Sequence, residues 1–223
     1  MSILVEHDKR RSEILEQAID VFVKEGFENT TFQKIAERCN ITRTTLYIYF
    51  KNKREIFNYS IKQLMKTVET DIVSIKEDES KNCIEKLALV FSIIIDRLGE
   101  NRRLLSVILD SLQCYAKSLK DAEGVANPKK KGERGVSPEK RVHRRTIRIR
   151  HILAGIVIQG IENGELPQNS VGYIGKLLYA LLESAVFRLV VLETASLEDL
   201  KRSAHLIIYS QGKSPPPITQ STY

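Results

Sequence analysis

The sequence contains few residues that interrupt helices. Its 223 residues include only 11 glycines and 6 prolines, and three of these prolines lie together near the end, in SPPPITQSTY. Glycine and proline are the least favourable residues inside a helix, so their scarcity in the body of the chain favours an all-α fold. The length is sufficient for one large or two small domains with a sizeable hydrophobic core.

Cysteine is also scarce. The three cysteines, Cys39, Cys83 and Cys114, are far apart, and each lies within an apolar helical pattern. An odd number of widely separated cysteines does not indicate a disulfide framework or a zinc site. It indicates buried thiols in a reducing compartment. We expect neither a metal site nor a bound cofactor.

Long hydrophobic runs are missing as well. The longest apolar run, ILAGIVI at residues 152–158, is much shorter than the ~18 residues that a membrane span requires. The first residues, MSILVEHDKRR, lack the hydrophobic region of a signal peptide. These features predict a cytoplasmic protein that does not interact with a membrane.

The sequence also lacks the features of an enzyme active site. The four histidines, His7, His143, His151 and His205, are scattered, and no cysteine or serine lies in a recognisable nucleophile motif. There is no glycine-rich phosphate-binding loop. We therefore do not expect this protein to be an enzyme.

The N-terminal region has the pattern of three helices. Apolar residues recur along one face over residues 8–25, which predicts an amphipathic first helix. Thr30 or Thr31 can cap a short second helix, and Thr42 can cap a third, very short helix that ends near Phe50. Two short helices that are joined by a tight turn and supported by a longer first helix are the layout of a helix-turn-helix.

The remainder of the chain has the pattern of long helices. We predict them over residues 53–76, 82–98, 101–119, 140–163, 170–193 and 197–210. Residues 120–139 have the glycine, proline and charge content of a mobile loop. The predicted domains are a helix-turn-helix domain over 1–52, a helical bundle over 53–211 and a disordered tail over 212–223.

The third predicted helix has an unusual outward face. On a helical wheel, Leu46 and Phe50 point inward. The opposite side carries hydroxyl, phenol, aliphatic and ammonium groups, which belong to Thr44, Thr45, Tyr47, Ile48 and Lys51. Hydroxyl groups, Tyr and Lys contact phosphates, and an aliphatic side chain can contact a thymine methyl group in the major groove. This mixture predicts a surface that fits duplex DNA; the alternative is that Tyr47, Ile48 and Tyr49 pack against the second domain.

Positive charge is concentrated around this helix. The whole chain has a formal net charge of +7, which is compatible with a polyanionic partner. Between Glu37 and Glu55 there is no acidic residue, whereas five residues are basic: Arg38, Arg43, Lys51, Lys53 and Arg54. The local charge therefore agrees with the predicted DNA contact.

The segment TTFQKIAERCNITRTTLYIYFKNKREIF resembles the DNA-binding signature of the tetracycline-repressor (TetR) family of bacterial transcription regulators. The matching features are Thr30-Thr31, Ile35-Ala36, Ile41-Thr42, Thr45-Leu46-Tyr47, Tyr49-Phe50, Lys51, Lys53 and Ile56-Phe57. So many matches at fixed spacing make the resemblance specific. It implies an N-terminal three-helix helix-turn-helix domain and a C-terminal helical bundle for ligand binding and dimerisation.

The resemblance also implies which residues contact double-stranded DNA. The family's contacts correspond here to Arg43, Thr44, Thr45, Tyr47, Tyr49 and Lys53, with Thr31 and Thr42 as helix caps and candidates for phosphate contacts. Ile48 and Lys51 complete the predicted DNA-binding set. Thr44 and Ile48 depart from the family pattern, which often has glycine at the first position and histidine or another polar or aromatic residue at the second. The operator sequence therefore cannot be taken from a relative.

The predicted helix over residues 170–193 is apolar around most of its circumference, so it must be covered on more than one side. The TetR resemblance implies a homodimer formed by the last two long helices, which would read two half-sites of a palindromic operator about one DNA turn apart. The candidate interface residues are Leu178, Leu182, Ala185, Val186 and Leu189. A monomeric core helix is the alternative interpretation.

The resemblance further implies a small-molecule effector that binds within the bundle and releases a repressor from its operator. Polar side chains in apolar helix faces are the candidate ligand contacts: Gln113, Tyr115, His151, Gln159, Tyr179 and Glu183. Their aliphatic surroundings favour an apolar or amphipathic ligand. Two alternatives stay open, namely control by a protein partner instead of a small molecule, and activation instead of repression.

A second basic segment lies at residues 121–151, which contain ten basic and four acidic side chains. A solvated loop and helix start is one interpretation of such a run. The other is a site for an anionic ligand or an acidic partner, with Arg144, Arg145 and Arg148 as the donors.

Overall fold

A computed structural model describes residues 2–122, 138–168, 170–194 and 196–212. In these ranges the chain forms nine α-helices and no β-strand, which confirms the predicted all-α fold. The helices are α1 (Ser2–Glu25), α2 (Phe32–Arg38), α3 (Arg43–Tyr49), α4 (Lys53–Glu77), α5 (Cys83–Glu100), α6 (Arg102–Ala122), α7 (Pro138–Glu162), α8 (Ser170–Val190) and α9 (Glu198–Ser210). None of the helices in this part of the chain is long and apolar enough to cross a membrane.

Two predicted segments fall partly or wholly outside the described residues. Helix α6 extends to Ala122 and helix α7 begins at Pro138, so both ends of the predicted loop over 120–139 are helical. Residues 123–137 of that loop lie outside the described residues. The predicted tail lies outside them as well, from residue 213 onward.

Threonine caps define the two short helices near the N-terminus. The Thr31 hydroxyl accepts a hydrogen bond from the Lys34 N–H (3.2 Å), and the Thr42 hydroxyl accepts one from the Thr45 N–H (3.0 Å). Each cap satisfies a backbone donor that the first turn of a helix leaves without a partner. Between the two helices the chain turns at Asn40, whose φ of 52° lies in the left-handed region that asparagine tolerates. The two caps and the turn together fix where the two helices begin and how the chain passes from one to the other.

The helices are organised in two compact units. The first comprises Met1–Leu64 and Asn101–His143, and the second comprises Met65–Glu100 and Arg144–Tyr223. The three helices of the helix-turn-helix lie in the first unit, which also takes in the beginning of α4 and helix α6. A helix that is distant in sequence thus belongs to the same unit as the candidate DNA-binding helix.

The first unit has an aromatic core and a charged link. The ring centroids of Phe22 and Phe27 are 5.3 Å apart, and those of Phe27 and Phe57 are 4.8 Å apart. On α1, the Asp20 carboxylate pairs with Arg38 of α2 at 2.8 Å and also with Arg103 of α6. Apolar packing and this carboxylate therefore connect α1 to α2, to the start of α4 and to α6.

The core of the second unit is mainly aliphatic, and α5 contributes much of it. Helix α5 contacts α8 and α9, which also contact each other. The buried Lys86 ammonium donates a hydrogen bond to the carbonyl oxygen of Lys76 (2.9 Å) and so caps the end of α4. The Glu165 carboxylate accepts one from the N–H of Cys83 at the start of α5 (2.5 Å). These polar groups fix the ends of helices whose faces are held together by apolar packing.

Candidate nucleic-acid interface

Helix α3 is anchored on one face and open on the other. Leu46 is completely buried and Phe50, directly after the helix, is 1% exposed. In contrast, Ile48 is 69% exposed, Tyr47 is 48% exposed and Thr44 is exposed. The predicted orientation of α3 is therefore confirmed. Its outward face presents hydroxyl, phenol and aliphatic groups to solvent, as a surface for DNA requires.

The position of Tyr47 is set by two neighbours within the first unit. Its ring packs against the ring of Phe32 on α2, with 4.8 Å between the centroids. Its hydroxyl oxygen accepts a hydrogen bond from the Arg43 guanidinium at 3.0 Å. Because the phenol oxygen accepts in this contact, its own hydrogen can still be donated to a phosphate. Tyr47 and Arg43 thus form a pre-arranged polar pair at one edge of the outward face.

The second tyrosine of α3 is held from α1. The imidazole of His7 stacks on the ring of Tyr49, with centroids 4.7 Å apart and planes inclined by 27°. Further along α1, the guanidinium of Arg11 lies over the rings of Phe50 and Tyr59, at 5.0 Å and 4.0 Å from their centroids. Helix α1 therefore supports the end of α3 through ring and cation–π contacts.

The threonines of the predicted set mainly organise the backbone. Besides capping α3, the Thr42 hydroxyl shares a hydrogen bond with the Thr45 hydroxyl at 2.8 Å. Thr31 caps α2 and, like Thr42, is exposed. Thr44 is exposed on the outward face, one turn before Ile48. The structure thus gives Thr31 and Thr42 a capping role, holds Thr45 against the Thr42 cap and leaves Thr44 facing solvent.

The two lysines that follow α3 have different surroundings. The side chain of Lys51 is exposed, and its backbone N–H donates to the Glu55 carboxylate at 2.5 Å. Lys53 is half-buried, and its ammonium donates to the carbonyl oxygens of Phe27, Glu28 and Thr30 at 2.8, 2.7 and 2.8 Å. All three of its hydrogens are thus used to hold the loop between α1 and α2. We therefore assign Lys53 a positioning role, and its contact with DNA stays a prediction.

The protonation state of Lys53 follows from two opposing effects. Burial lowers the pKa of its ammonium, whereas the three carbonyl oxygens stabilise the charged form. Three short hydrogen bonds to oxygen acceptors require the protonated form, so we treat Lys53 as a cation at neutral pH. A charged, hydrogen-bonded Lys53 stabilises the helix-turn-helix from the first turn of α4.

The candidate ligand contacts do not form a buried group in this conformation. Gln113, His151, Gln159 and Glu183 are exposed, and Tyr179 is half-buried beneath the Arg150 guanidinium, which lies 5.2 Å from its ring centroid. The side chain of Tyr115 lies outside the described residues. The assignment of a ligand to these residues stays a prediction.

The candidate dimer residues divide into two groups. Leu178, Ala185 and Leu189 are at most 4% exposed, because they pack in the core of their own protomer, while Leu182 and Val186 are half-buried. A side chain that is already covered has little apolar surface left to bury against a second subunit. Among the described residues, the large hydrophobic side chains of α8 and α9, and of the residues just after α8, that remain exposed are Tyr173, Phe187, Val191, Leu192 and Leu206. The predicted interface residues stay a prediction, and Phe187, Val191, Leu192 and Leu206 are further candidates because they are aliphatic or aromatic and exposed.

The roles of Phe32 and His7 are not evident from the sequence pattern. The period of α2 places Phe32 on its apolar face, which predicts burial but not contact with Tyr47. His7 contacts Tyr49 across 42 residues, so no helical period relates the two. Contacts between different helices are the part of the site that local patterns do not reveal.

A three-helix unit whose short third helix is anchored by Leu46 and exposes a mixed polar and apolar face defines a helix-turn-helix DNA-binding protein. Residues 14–59 match the family model for bacterial regulatory proteins of the tetR family. Residues 14–59 therefore form a DNA-binding domain of the TetR type, and the chain is a DNA-binding transcriptional regulator, as the sequence predicts.

Similar proteins extend the match beyond residues 14–59. The fatty acid metabolism regulator protein of Bacillus subtilis (strain 168) is 26% identical over 207 residues, which cover 86% of this chain and 94% of that protein. The probable acrEF/envCD operon repressor of Escherichia coli (strain K12) is 29% identical over 127 residues, 54% of this chain and 56% of that protein. The structure of the transcriptional regulator FadR from Bacillus subtilis in complex with stearoyl-CoA aligns with a TM-score of 0.62 and 22% identity, over 90% of this chain and 98% of that one.

Proposed function

We propose that this protein is a homodimeric repressor that binds a palindromic operator through α3 and leaves it when a long-chain acyl compound binds. It acts by binding DNA and not as an enzyme. The observation that carries the proposal is the outward face of α3, where Thr44, Tyr47 and Ile48 are exposed above a buried Leu46. The polar groups of this face suit phosphate oxygens, and its aliphatic group suits a base edge.

Dimerisation follows from the requirement for two half-sites. A single seven-residue recognition helix contacts only a few base pairs, and a two-fold dimer doubles the contacts while it sets the distance between them. The exposed Phe187 on α8 and Leu206 on α9 offer the apolar area that a stable dimer must bury. Both side chains would be covered by the same surface of a second copy.

The class of the effector is inferred from the relatives. The Bacillus subtilis protein that matches most of this chain is named for fatty acid metabolism, and the FadR structure with the same fold contains stearoyl-CoA. The second unit of this chain has an aliphatic core to which α5 contributes, so a ligand pocket that opened among its helices would be lined by apolar side chains. To act as an inducer, the ligand must bind the DNA-incompetent state more tightly, by a coupling free energy of about 1–3 kcal/mol or more.

The experiment that tests the proposal has two stages. The first selects binding sites from a random duplex library with the full-length protein, and we expect an enriched palindrome with two half-sites. The second titrates this operator complex with stearoyl-CoA, coenzyme A and stearate in parallel, with fluorescence anisotropy as the measurement. We expect stearoyl-CoA to release the DNA, and coenzyme A to have no effect at the same concentration.

Each stage can fail separately. If no sequence is enriched, the DNA-binding part of the proposal is wrong. If a palindrome is enriched but stearoyl-CoA and stearate leave the complex intact, the effector class is wrong and the operator binding stands. Release by stearate as well as by stearoyl-CoA would assign recognition to the apolar chain instead of the thioester head group.

A further inference from the structure

Ile48 is the most exposed large apolar side chain among the described residues, at 69%. Single exposed apolar residues are common on protein surfaces and need no explanation by themselves. Ile48 differs because of its location, at the centre of the outward face of α3. Thr44 lies one turn before it and Tyr47 beside it, both exposed. An aliphatic group therefore stands in the middle of a face that is otherwise able to form hydrogen bonds.

The helix beneath Ile48 is held firmly. Leu46 is completely buried, and Phe50 contacts Tyr59 with ring centroids 6.1 Å apart. The isoleucine side chain itself is branched at Cβ and has one strongly preferred χ1 rotamer in a helix. A ligand that meets Ile48 therefore meets an apolar surface at a defined position, and little conformational freedom is lost on contact.

The chemistry of the side chain restricts what it can recognise. Isoleucine has no hydrogen-bonding atom, so it cannot contribute to phosphate contacts as Tyr47, Arg43 or Lys51 can. In the major groove the one apolar group among the four base-pair edges is the 5-methyl group of thymine. An aliphatic side chain can thus distinguish bases in the groove by covering that methyl group.

We propose that Ile48 contacts the 5-methyl group of a thymine at one fixed position in each operator half-site, and that it is a specificity-determining residue. This inference rests on the proposed function, because it requires α3 to lie in the major groove. It adds the residue that reads the base and the chemical group that is read.

The test removes the methyl group and nothing else. In the operator selected with the full-length protein, each thymine of a half-site is replaced in turn by deoxyuridine, which keeps every hydrogen-bonding group of the base. At one position we expect the affinity to fall about fourfold, as the loss of one buried methyl group predicts. Replacement at that position in both half-sites is expected to lower it about fifteenfold, since separated positions are roughly additive.

The variant Ile48→Ala, combined with the deoxyuridine replacement, completes a double-mutant cycle between the side chain and the methyl group. Without the isoleucine, the thymine and deoxyuridine operators are expected to bind within about twofold of each other, because the methyl group no longer meets an apolar partner. Val23→Ala is the matched control, since Val23 on α1 is also an exposed β-branched residue, at 45%. This variant is expected to retain the full dependence on the methyl group. Thermal unfolding of all three proteins confirms that the exposed substitutions leave the fold intact.

The outcomes separate this inference from the proposed function. Specific binding in which no thymine is sensitive to deoxyuridine would overturn the inference and leave the DNA-binding function standing. Sensitivity that persists in Ile48→Ala would overturn it too, because another side chain would then cover the methyl group. Failure to select any operator would overturn both.

Discussion

At the scale of single residues, Lys51 and Lys53 are two positions apart but have different roles. Lys51 is exposed beside α3, whereas the Lys53 ammonium is held by the carbonyl oxygens of Phe27, Glu28 and Thr30. The sequence shows two lysines in a basic run, and DNA contact is predicted for both, for Lys53 through the resemblance to the TetR family. The difference arises from the fold, because the loop after α1 places its carbonyl groups around one lysine and not around the other.

We predict that Lys53→Met lowers the free energy of unfolding by about 1–3 kcal/mol, because three carbonyl oxygens lose their donor. Lys51→Met is the control and is expected to leave the stability within about 0.5 kcal/mol of the parent. It should instead weaken DNA binding and reduce the salt slope by about one. Urea unfolding and salt-dependent anisotropy measure the two effects. Equal stability of both variants would contradict the positioning role of Lys53.

The buried thiols give a prediction about pH. Burial raises the pKa of Cys39, and burial together with the nearby Glu165 carboxylate raises the pKa of Cys83 to about 11. The reactive thiolate of Cys83 is therefore rare at pH 8. As long as the pH is below 11, the thiolate population rises about tenfold for each unit by which the pH is raised. We expect alkylation of Cys83 by iodoacetamide in the native protein to be slow at pH 7 and to accelerate tenfold per unit up to pH 9. Mass spectrometry measures it site by site.

Labelling in urea is the control for this experiment. The unfolded chain exposes its thiols with ordinary pKa values, so both Cys39 and Cys83 should react rapidly at pH 8. Native Cys83 that reacts at pH 8 as quickly as the unfolded chain would contradict its burial and its raised pKa.

At the scale of helices, the short elements of the helix-turn-helix were predictable because their signals are local. Thr31 and Thr42 are followed three residues later by the N–H groups that they cap. The start of α1 was not predictable in this way. Its apolar stripe predicts a helix from residue 8, whereas the helix begins at Ser2. Residues 2–7 contain three consecutive apolar residues, Ile3, Leu4 and Val5, which do not follow the period of a helix face. His7 contacts Tyr49, which lies far away in sequence.

At the end of α8 the predicted helix is too long, whereas at the start of α1 it is too short. The apolar pattern continues through Val191 and Leu192, so the sequence predicts a helix to residue 193. The helix ends at Val190, and Glu193 adopts a φ of 51°. A left-handed residue stops helical propagation. The apolar residues after the helix are exposed instead of buried, which apolar periodicity alone cannot distinguish.

The caps of α2 and α3 allow a matched comparison. We predict that Thr31→Ala and Thr42→Ala each lower the free energy of unfolding by about 1 kcal/mol, because each removes the acceptor of a first-turn N–H group. Thr42→Ala should also weaken operator binding more than Thr31→Ala, since it loosens α3 directly. Thr42→Ser retains the hydroxyl and should behave like the parent. Urea unfolding and anisotropy are the measurements, and an unchanged stability of Thr42→Ala would contradict the cap.

At the scale of the whole chain, the proposed dimer surface is the feature that the sequence predicts least well. Helix α8 is apolar around most of its circumference, so its pattern does not tell which side faces its own protomer. Burial resolves this, because Leu178, Ala185 and Leu189 are covered within one chain while Phe187 and Leu206 are 52% and 66% exposed. Only the three-dimensional arrangement of α5, α8 and α9 separates the two groups.

We predict that Phe187→Asp and Leu206→Asp each convert the dimer into folded monomers, because a carboxylate would be buried in an apolar interface. Leu178→Ala should instead destabilise the protomer by about 2–5 kcal/mol, as expected for a truncated core leucine. Light scattering after size-exclusion chromatography gives the mass, and urea unfolding gives the stability. A dimer that survives both aspartate substitutions would contradict the proposed surface.

The proposed binding of DNA by the outward face of α3 can be tested at Tyr47, which lies on that face. We would measure fluorescence anisotropy of the full-length protein on the selected operator and on a scrambled duplex of equal length, at about 50 mM and about 200 mM salt. We expect specific binding that weakens at least tenfold between these two salt concentrations. We also expect Tyr47→Ala to lose specific binding while it remains folded at the temperature of the measurement. Unchanged operator binding by Tyr47→Ala would show that this face does not bind the operator.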